Sequence, residues 1–476
     1  MAFFSVTGVV TTTQYLTGGH IGVIVTPDAG IITSASSTVE VENFQSTQAN
    51  SLLVNGFIIN STTGLGAAVL LDSASSFNMT VGPSGLVQGV AVGALFGAVS
   101  TALTLNNAGT MMSTRSRAID VFNSDGSMSV NLSNSGLIDG PLGAIRLDSG
   151  NGNVRIVNSG TIMTAAQTAI TLNNVAGSFG AGFLHNTGTV VGTFRALDAS
   201  AGSGVTVVFN SGLIDGHILL GGGQDEYEGG NGRQRGTVFG QGDADVLAGG
   251  LQSDRFDGGS GNDTLVGRGG DDRLDGGPDD DFLVGGDGND SMDGGTGADI
   301  LNGNVGDDTI LGGTGNDVLV GQDGSDQLEG GDNDDTLDGG AGDDSLEGGD
   351  DNDILRGRNG EDDLAGGLGR DFLTGGQGAD NFVFRALAET VVGANRDQIL
   401  DFEQGADLIV VAGLTPGVFE FRGTAAFAPS GNPELRLNET ASGSTIVQVD
   451  VDGNGTVDAE IRVGGVTGLT ADDFVL

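Results

Sequence analysis

Sixteen aspartates recur at every ninth residue: Asp245, Asp254, Asp263, Asp272, Asp281, Asp290, Asp299, Asp308, Asp317, Asp326, Asp335, Asp344, Asp353, Asp362, Asp371 and Asp380. Each holds the sixth position of a nine-residue unit, and the units run in unbroken register from Gly240 to Val383. The clearest copies are GGSGNDTLV (Gly258–Val266) and GGTGNDVLV (Gly312–Val320). The glycines leave backbone carbonyls uncovered by side chains. Candidate carbonyl donors are Gly258, Gly261, Gly285, Gly288, Gly294, Gly297, Gly312, Gly315, Gly339 and Gly342. Carboxylate and carbonyl oxygens are hard ligands and suit calcium. One ion between each stacked pair of loops gives roughly fourteen ions at most.

The eighth position is always apolar, from Leu247 and Phe256 to Leu373 and Phe382. A fixed period is the signature of a stacked repeat. Gly-Gly-x-Gly-x-Asp makes a turn, because glycine tolerates positive φ. The x-apolar-x triplet that follows predicts a short strand with one side chain inward. Two units then complete a coil of eighteen residues, with loops on opposite edges. One edge carries Asp245, Asp263 and Asp281 onward; the other carries Asp254, Asp272 and Asp290 onward. Carboxylates stacked at strand spacing, ~4.8 Å, repel unless a cation lies between them. Without one, the stretch reads as an acidic, glycine-rich disordered segment.

These units resemble the RTX (repeats-in-toxin) family, whose calcium-binding β-roll the resemblance implies here over 220–383. Five units depart from the pattern at position four, with Asp243, Gln252, Asp279, Asn333 and Asp351 in place of Gly. Arg268 and Arg358 replace a second-position Gly. Leu220–Glu228 reads as one degenerate unit, and the register slips across Gly229–Phe239.

The net charge is −45, and all eighteen basic residues are Arg. By segment it is −5 over 1–219 (10 acids, 5 Arg), −31 over 220–383 (39 and 8) and −9 over 384–476 (14 and 5). Such a chain attracts cations and repels nucleic acid and anionic lipid. With no Cys there is no disulfide framework and no thiolate site. No stretch is apolar over the length of a transmembrane helix. The first residues, MAFFSVTGVVTTTQ, lack a basic n-region, so they do not read as a Sec signal. Weak calcium loops fill at millimolar concentrations, which predicts an extracellular, secreted protein.

Residues 1–219 carry a longer and looser repeat. Its core is seen in NAGTM (Asn107–Met111), NSGLI (Asn134–Ile138), NSGTI (Asn158–Ile162), NTGTV (Asn186–Val190) and NSGLI (Asn210–Ile214). Weaker copies place glycines at Gly30, Gly56 and Gly85. Short β-rich runs lie between. Two or three strands per ~25 residues predict a right-handed parallel β-helix whose rungs stack; a β-sandwich is the competing fold. The recurring Asn would form a ladder or cap the turn. Catalytic residues are scarce here. His20, His185 and His217 fit no zinc spacing, and no Gly-x-Ser-x-Gly elbow occurs. Arg115, Arg117, Asp120, Arg146, Asp148 and Arg155 form the one charged cluster. It could line a groove for an anionic polysaccharide, or keep solvated strands from aggregating.

After Phe382 the glycine register ends. Asp397-x-Ile399-x-Asp401-Phe402 and Gly405-x-Asp407-x-Ile409 resemble the C-terminal domain of serralysin-type secreted proteins. The resemblance implies a β-rich cap over 384–476 and, with the ending Asp473-Phe474-Val475-Leu476, export by a type I channel. Asp450-x-Asp452-x-Asn454-Gly455-x-x-Asp458 matches the start of an EF-hand loop, but position twelve is Ile461 and the flanks are strands. A single calcium site or an Asn-Gly hairpin turn are the two readings.

The expectation is an all-β protein: an N-terminal β-helix (1–219), a calcium-binding parallel β-roll (220–383) and a C-terminal cap (384–476). Its function would be that of a non-enzymatic surface, matrix or adhesion protein whose repeats fold on calcium after type I secretion. The alternative is a polysaccharide lyase or epimerase with its site on the β-helix. The partners would be calcium ions, the type I secretion machinery and cell-surface or extracellular polysaccharide.

Overall fold

The computed structural model describes residues 3–6, 9–10, 14–16, 22–25, 30–33, 37–44, 50–54, 57–60, 67–89, 92–122, 128–150, 152–165, 167–173 and 181–476. His20, Asp28, Asn55 and Gly56 lie outside them. Nearly all regular structure is β, and the only helices among the described residues are two single 3-10 turns, Ala412–Leu414 and Ala471–Asp473. No helix among them is long and apolar enough to cross a membrane. The chain forms two compact units, Met1–Ser260 and Gly261–Leu476.

The first unit is a parallel β-helix with three strand stacks. One rung consists of Ser129–Asn134, Leu137–Asp139 and Ile145–Asp148, and the next of Val154–Asn158, Thr161–Met163 and Thr168–Asn173. Alternation turns every second side chain inward. Leu132, Ile156, Leu184, Val208, Tyr227 and Leu247 are in register and buried, one column of the core. Ile170, Leu197, Ile218, Val238 and Phe256 form another. The column Ile138, Ile162, Val190, Ile214 ends at Gln234, whose amide donates to the Gly216 carbonyl at 2.9 Å. Among the described residues no strand follows Arg233–Arg235 in that stack. Three stacks thus narrow to two, and this accounts for the irregular stretch Gly229–Phe239, which holds the last strand of the third stack.

The recurring asparagines do both things expected of them. Asn107, Asn134, Asn158, Asn186 and Asn210 are buried, and each of the first four side-chain amides donates to the Oδ1 of the next at 2.8–2.9 Å. Asn134 Oδ1 also accepts from the Gly136 N–H, which closes the turn. Gly109, Gly136, Gly160, Gly188 and Gly212 stack so closely that a Cβ on each would strike a carbonyl of the rung before. Gly30 departs from this alignment, because it pairs with Phe57, one residue beyond Gly56.

In the second unit each repeat strand from Thr264–Gly269 to Phe372–Gln377 spans six residues, from position seven of one unit to position three of the next, as in Ile300–Val305 and Val318–Asp323. The triplet expected from sequence is therefore too short. Position eight and the first glycine of the following unit both point inward, and the extra length buries a second position per strand. Strands pair in parallel with those eighteen residues on, so two units make one turn. Beyond the repeats, Ile399 and Ile409 take the buried apolar position in two further rungs, Gln398–Ile399 and Leu408–Val410. An antiparallel meander, Glu434–Glu439, Thr445–Asp450 and Ala459–Val463, then closes against them, with Arg462 opposite Gln398.

Candidate metal centre

Every repeat loop but Gly249–Asp254 turns at two points where the backbone takes positive φ, positions two and four of the unit. Gly313 (φ 107°) and Gly315 (φ 132°) show why glycine dominates there. Asp243, Asp279, Asn333 and Asp351 accept the strained conformation at position four. At position two Arg268 and Arg358 do so, as do Gln241, Asn304 and Gln322, which the sequence reading passed over. Gln252 does not: its loop, Gly249–Asp254, is built differently, with the Gly250 N–H donating to Asp254 Oδ2 at 2.8 Å.

The turn carries the sixth-position Asp into the interior. All sixteen are buried. In the second unit they form two ladders. The N–H of Asp263 donates to Asp281 Oδ1, that of Asp281 to Asp299, and so on through Asp317, Asp335, Asp353 and Asp371. The other ladder runs from Asp272 through Asp290, Asp308, Asp326, Asp344 and Asp362 to Asp380. Both continue past the repeats: Asp371 N–H donates to Asp397 Oδ1 and Asp380 N–H to Asp407 Oδ1, each at 3.0–3.1 Å. The sequence reading used Asp397 and Asp407 only as marks of resemblance. The signal for their role was present, an Asp two residues before a buried Ile. In the first unit Asp225 N–H donates to Asp245 Oδ1 at 2.7 Å, and Thr206 N–H donates to Asp225.

One oxygen of each carboxylate is thereby used. The other, Oδ2, is buried with no hydrogen-bond partner in every repeat aspartate from Asp281 to Asp380, and in Asp397. It lies over the first glycine of its own unit. A Cβ on Gly294 would sit 2.6 Å from Asp299 Oδ2 and 2.7 Å from the Gly312 carbonyl; on Gly312 it would sit 2.6 Å from both Asp317 Oδ2 and the Gly330 carbonyl. The first-position glycines Gly285, Gly294, Gly312 and Gly339 are thus gaps that admit the carboxylates; Gly258 holds the same position of its unit. The fourth-position glycines Gly261, Gly288, Gly297, Gly315 and Gly342 are the left-handed turns.

Burial is the main reason these carboxyls are pushed above the usual range, and neighbouring carboxylates add to it. Asp281, Asp308, Asp335 and Asp344 rise to about 7, and Asp290, Asp299, Asp362, Asp371 and Asp380 to about 6. Asp353, Asp397 and Asp225 reach about 8. A buried row of acceptor oxygens without donors is unfavourable alone. A hard cation fits it, because carboxylate and carbonyl oxygens are the ligand set of calcium.

The charged cluster of the β-helix is only partly assembled. Asp120 lies 3.5 Å from Arg146 and 4.0 Å from Arg117. Arg155 belongs to a different strand stack and lies over the Phe183 ring at 5.3 Å, so it does not join them. His217 Nδ1 accepts from the Thr237 N–H at 2.9 Å, and its ring packs between Phe194 and Phe239. In the cap, Asp450, Asp452 and Asp458 converge within 4.8 Å. They line an eight-residue loop between antiparallel strands rather than a two-residue turn. Asp450 accepts from the Asn454 and Gly455 N–H groups, and Asp458 from that of Val451.

Residues 246–476 match the family described as peptidase M10 serralysin C terminal. No curated protein matches the chain. Two solved structures similar to part of it are repeat subunits from the Azotobacter vinelandii mannuronan C5-epimerase. AlgE6R3 is 32% identical over 31% of this chain and 80% of its own, with a TM-score of 0.24. AlgE6R2 is 24% identical over 37% and 90%, with a TM-score of 0.21.

Proposed function

We propose, from the match of residues 246–476 to the family described as peptidase M10 serralysin C terminal, that this is a secreted calcium-binding repeat protein whose repeats fold when calcium binds. The observation that carries the reading is the pair of aspartate ladders, with Oδ2 atoms buried and unpartnered from Asp281 to Asp380. The holding residues would be the ladder aspartates, with carbonyls of the first- and fourth-position glycines. When bound, calcium supplies the positive charge that the stacked carboxylates lack. The chain's own part is to bring those carboxylates together. Main-chain N–H groups fix Oδ1 and leave Oδ2 for the ion. Binding free energy then becomes folding free energy.

Self-repulsion of the −31 charge over 220–383 keeps the repeats open where calcium is scarce, which suits export through a type I channel. Outside, calcium folds them. The cap over 384–476 gives the roll the end that a solenoid requires. Residues 1–219 would then be the presented surface of a non-enzymatic matrix or adhesion protein, with cell-surface or extracellular polysaccharide as the ligand class. The polysaccharide lyase or epimerase reading gains nothing from the β-helix, where Arg155 is separated from Asp120 and Arg146.

The test is far-ultraviolet circular dichroism of the full chain in chelator and in millimolar calcium, with calorimetry to count ions. Strand signal from the repeats should be lost in chelator and regained with calcium. Equal structure in both conditions would overturn the proposal.

A further inference from the structure

The two outer faces of the repeat array in the second unit differ in chemistry. Position seven of alternate units brings Thr264, Phe282, Ile300, Val318, Thr336, Ile354 and Phe372 into one row, each opposite the next across parallel strands. Beside it, position nine places Val266, Val284, Asn302 and Val320 on the same side. These side chains reach solvent: Phe282 is 42% exposed, Ile300 47% and Val318 38%. Charges on these seven strands balance, with Arg268, Arg356 and Arg358 against Asp287, Asp323 and Asp338. The opposite face, strands 273–278 to 363–368, has Arg273 against seven acids, Asp275, Asp293, Glu329 and Glu347 among them. The apolar stripe of one face is thus set back to back with the acidic face.

We propose that this apolar face docks a second copy of this chain, face to face, about a two-fold axis. Three observations select that occupant. First, an exposed apolar patch marks an interaction surface, and this one is the part of the array that carries no net charge. Two copies can meet there while both acidic faces point away. Second, the row is self-complementary. Its side chains repeat at the rung spacing, so a two-fold axis brings the rungs of one copy against those of the other at matching spacing, as in aligned sheet packing. An axis through the rung of Val318 sets strand Ile354–Asn359, with Arg356 and Arg358, against strand Phe282–Asp287, with Asp287. Third, the area suffices. Seven strands at about 4.8 Å, six residues long at about 3.3 Å each, present about 650 Å² per copy. The pair would bury about 1,300 Å², within the lower range of specific interfaces. The inference rests on the proposed function in one respect, that the array must be folded to present the row.

Sedimentation velocity of the full chain, from micromolar to hundred-micromolar concentration in millimolar calcium, tests this. A monomer–dimer equilibrium is expected. The double variant Ile300→Asp/Val318→Asp should weaken it about tenfold or more, since it buries four like charges at the centre. The control Thr309→Asp/Gln327→Asp, at the same positions on the acidic face, should leave it unchanged. Circular dichroism with calcium on each variant shows that the array has folded. A folded chain that stays monomeric overturns this inference alone, as does a dimer indifferent to Ile300→Asp/Val318→Asp. A monomer that instead binds immobilised alginate, and loses that binding in the same variant, assigns the face to polysaccharide and also overturns it. An array that fails to fold in calcium removes the face and the proposed function together.

Discussion

At Gly294 there is room for a hydrogen and nothing more. Its missing Cβ is what lets Asp299 lie against the backbone with Oδ2 beside the Gly312 carbonyl. The first glycine of the unit is therefore a packing residue, unlike the second and fourth, which serve backbone angles. The distinction has a consequence. Asn333 and Asp351 occupy fourth positions at φ 85° and 80° without loss of the ladder, since Asx side chains tolerate that region. A first-position substitution has no such escape. Gly294→Ala should destabilise the calcium-loaded chain by about 1–3 kcal/mol, the range for overpacking, and raise the calcium concentration at half-folding. Thermal melts in calcium check this; an unchanged melt would show that the Asp299 carboxylate can move aside.

The same economy governs the element scale. A β-helix rung cannot bury its own face, so something must fix each rung to the next. In the first unit the asparagine ladder does this with neutral amides, each from Asn134 to Asn210 both donor and acceptor. In the second, main-chain N–H groups and carboxylates do it, which leaves a charged oxygen over. The first device works without a cation; under the proposed function the second requires one. Asn158→Ala should leave Asn186 Oδ1 without its Nδ2 donor and cost about 1–3 kcal/mol, the range for a buried polar group left unpaired. The loss should appear in the melting transition of the β-helix, with or without calcium, while the calcium-induced change in the repeats stays the same. A shift of both together would mean that the two devices are energetically one.

Across the whole molecule, charge sets the conditions for folding. In the folded, cation-free array Asp299, Asp308, Asp335 and Asp353 stand at about 6 to 8, against 3.8 when free. Between those limits the folded state binds more protons than the unfolded one, so stability falls as pH rises through the window. The cost is fully present above about pH 8 and is relieved as the carboxyls protonate toward the free value. Without calcium the chain should gain strand signal on acidification from about pH 8 to about pH 5. In saturating calcium the signal should hardly change over that range, because the ion then does what the proton did. A cation-free signal that stays flat, or rises with pH, would contradict the assigned burial of the ladders.

Much of this protein is legible in the sequence because its repeats are one-dimensional. Sixteen aspartates and sixteen apolar residues at fixed offsets determine the nine-residue unit, the eighteen-residue turn and the two aspartate edges. The Asn-x-Gly core determines a stacked rung, since a buried amide at a fixed period must pair with its own copy. What sequence could not supply is whatever depends on two rungs meeting. It missed the strand's extension into the glycines, because those residues are poor strand formers and pair only through their neighbours. It missed Asp397 and Asp407 as ladder members, because they stand 26 and 27 residues beyond their partners rather than eighteen. It placed Arg155 with Arg146, which strand stacking separates. It also left Gly229–Phe239 as a lapse of register, where the fold drops from three stacks to two. Local chemistry is written residue by residue; which oxygen is left without a donor, and which face is left without charge, is decided only when the coil closes.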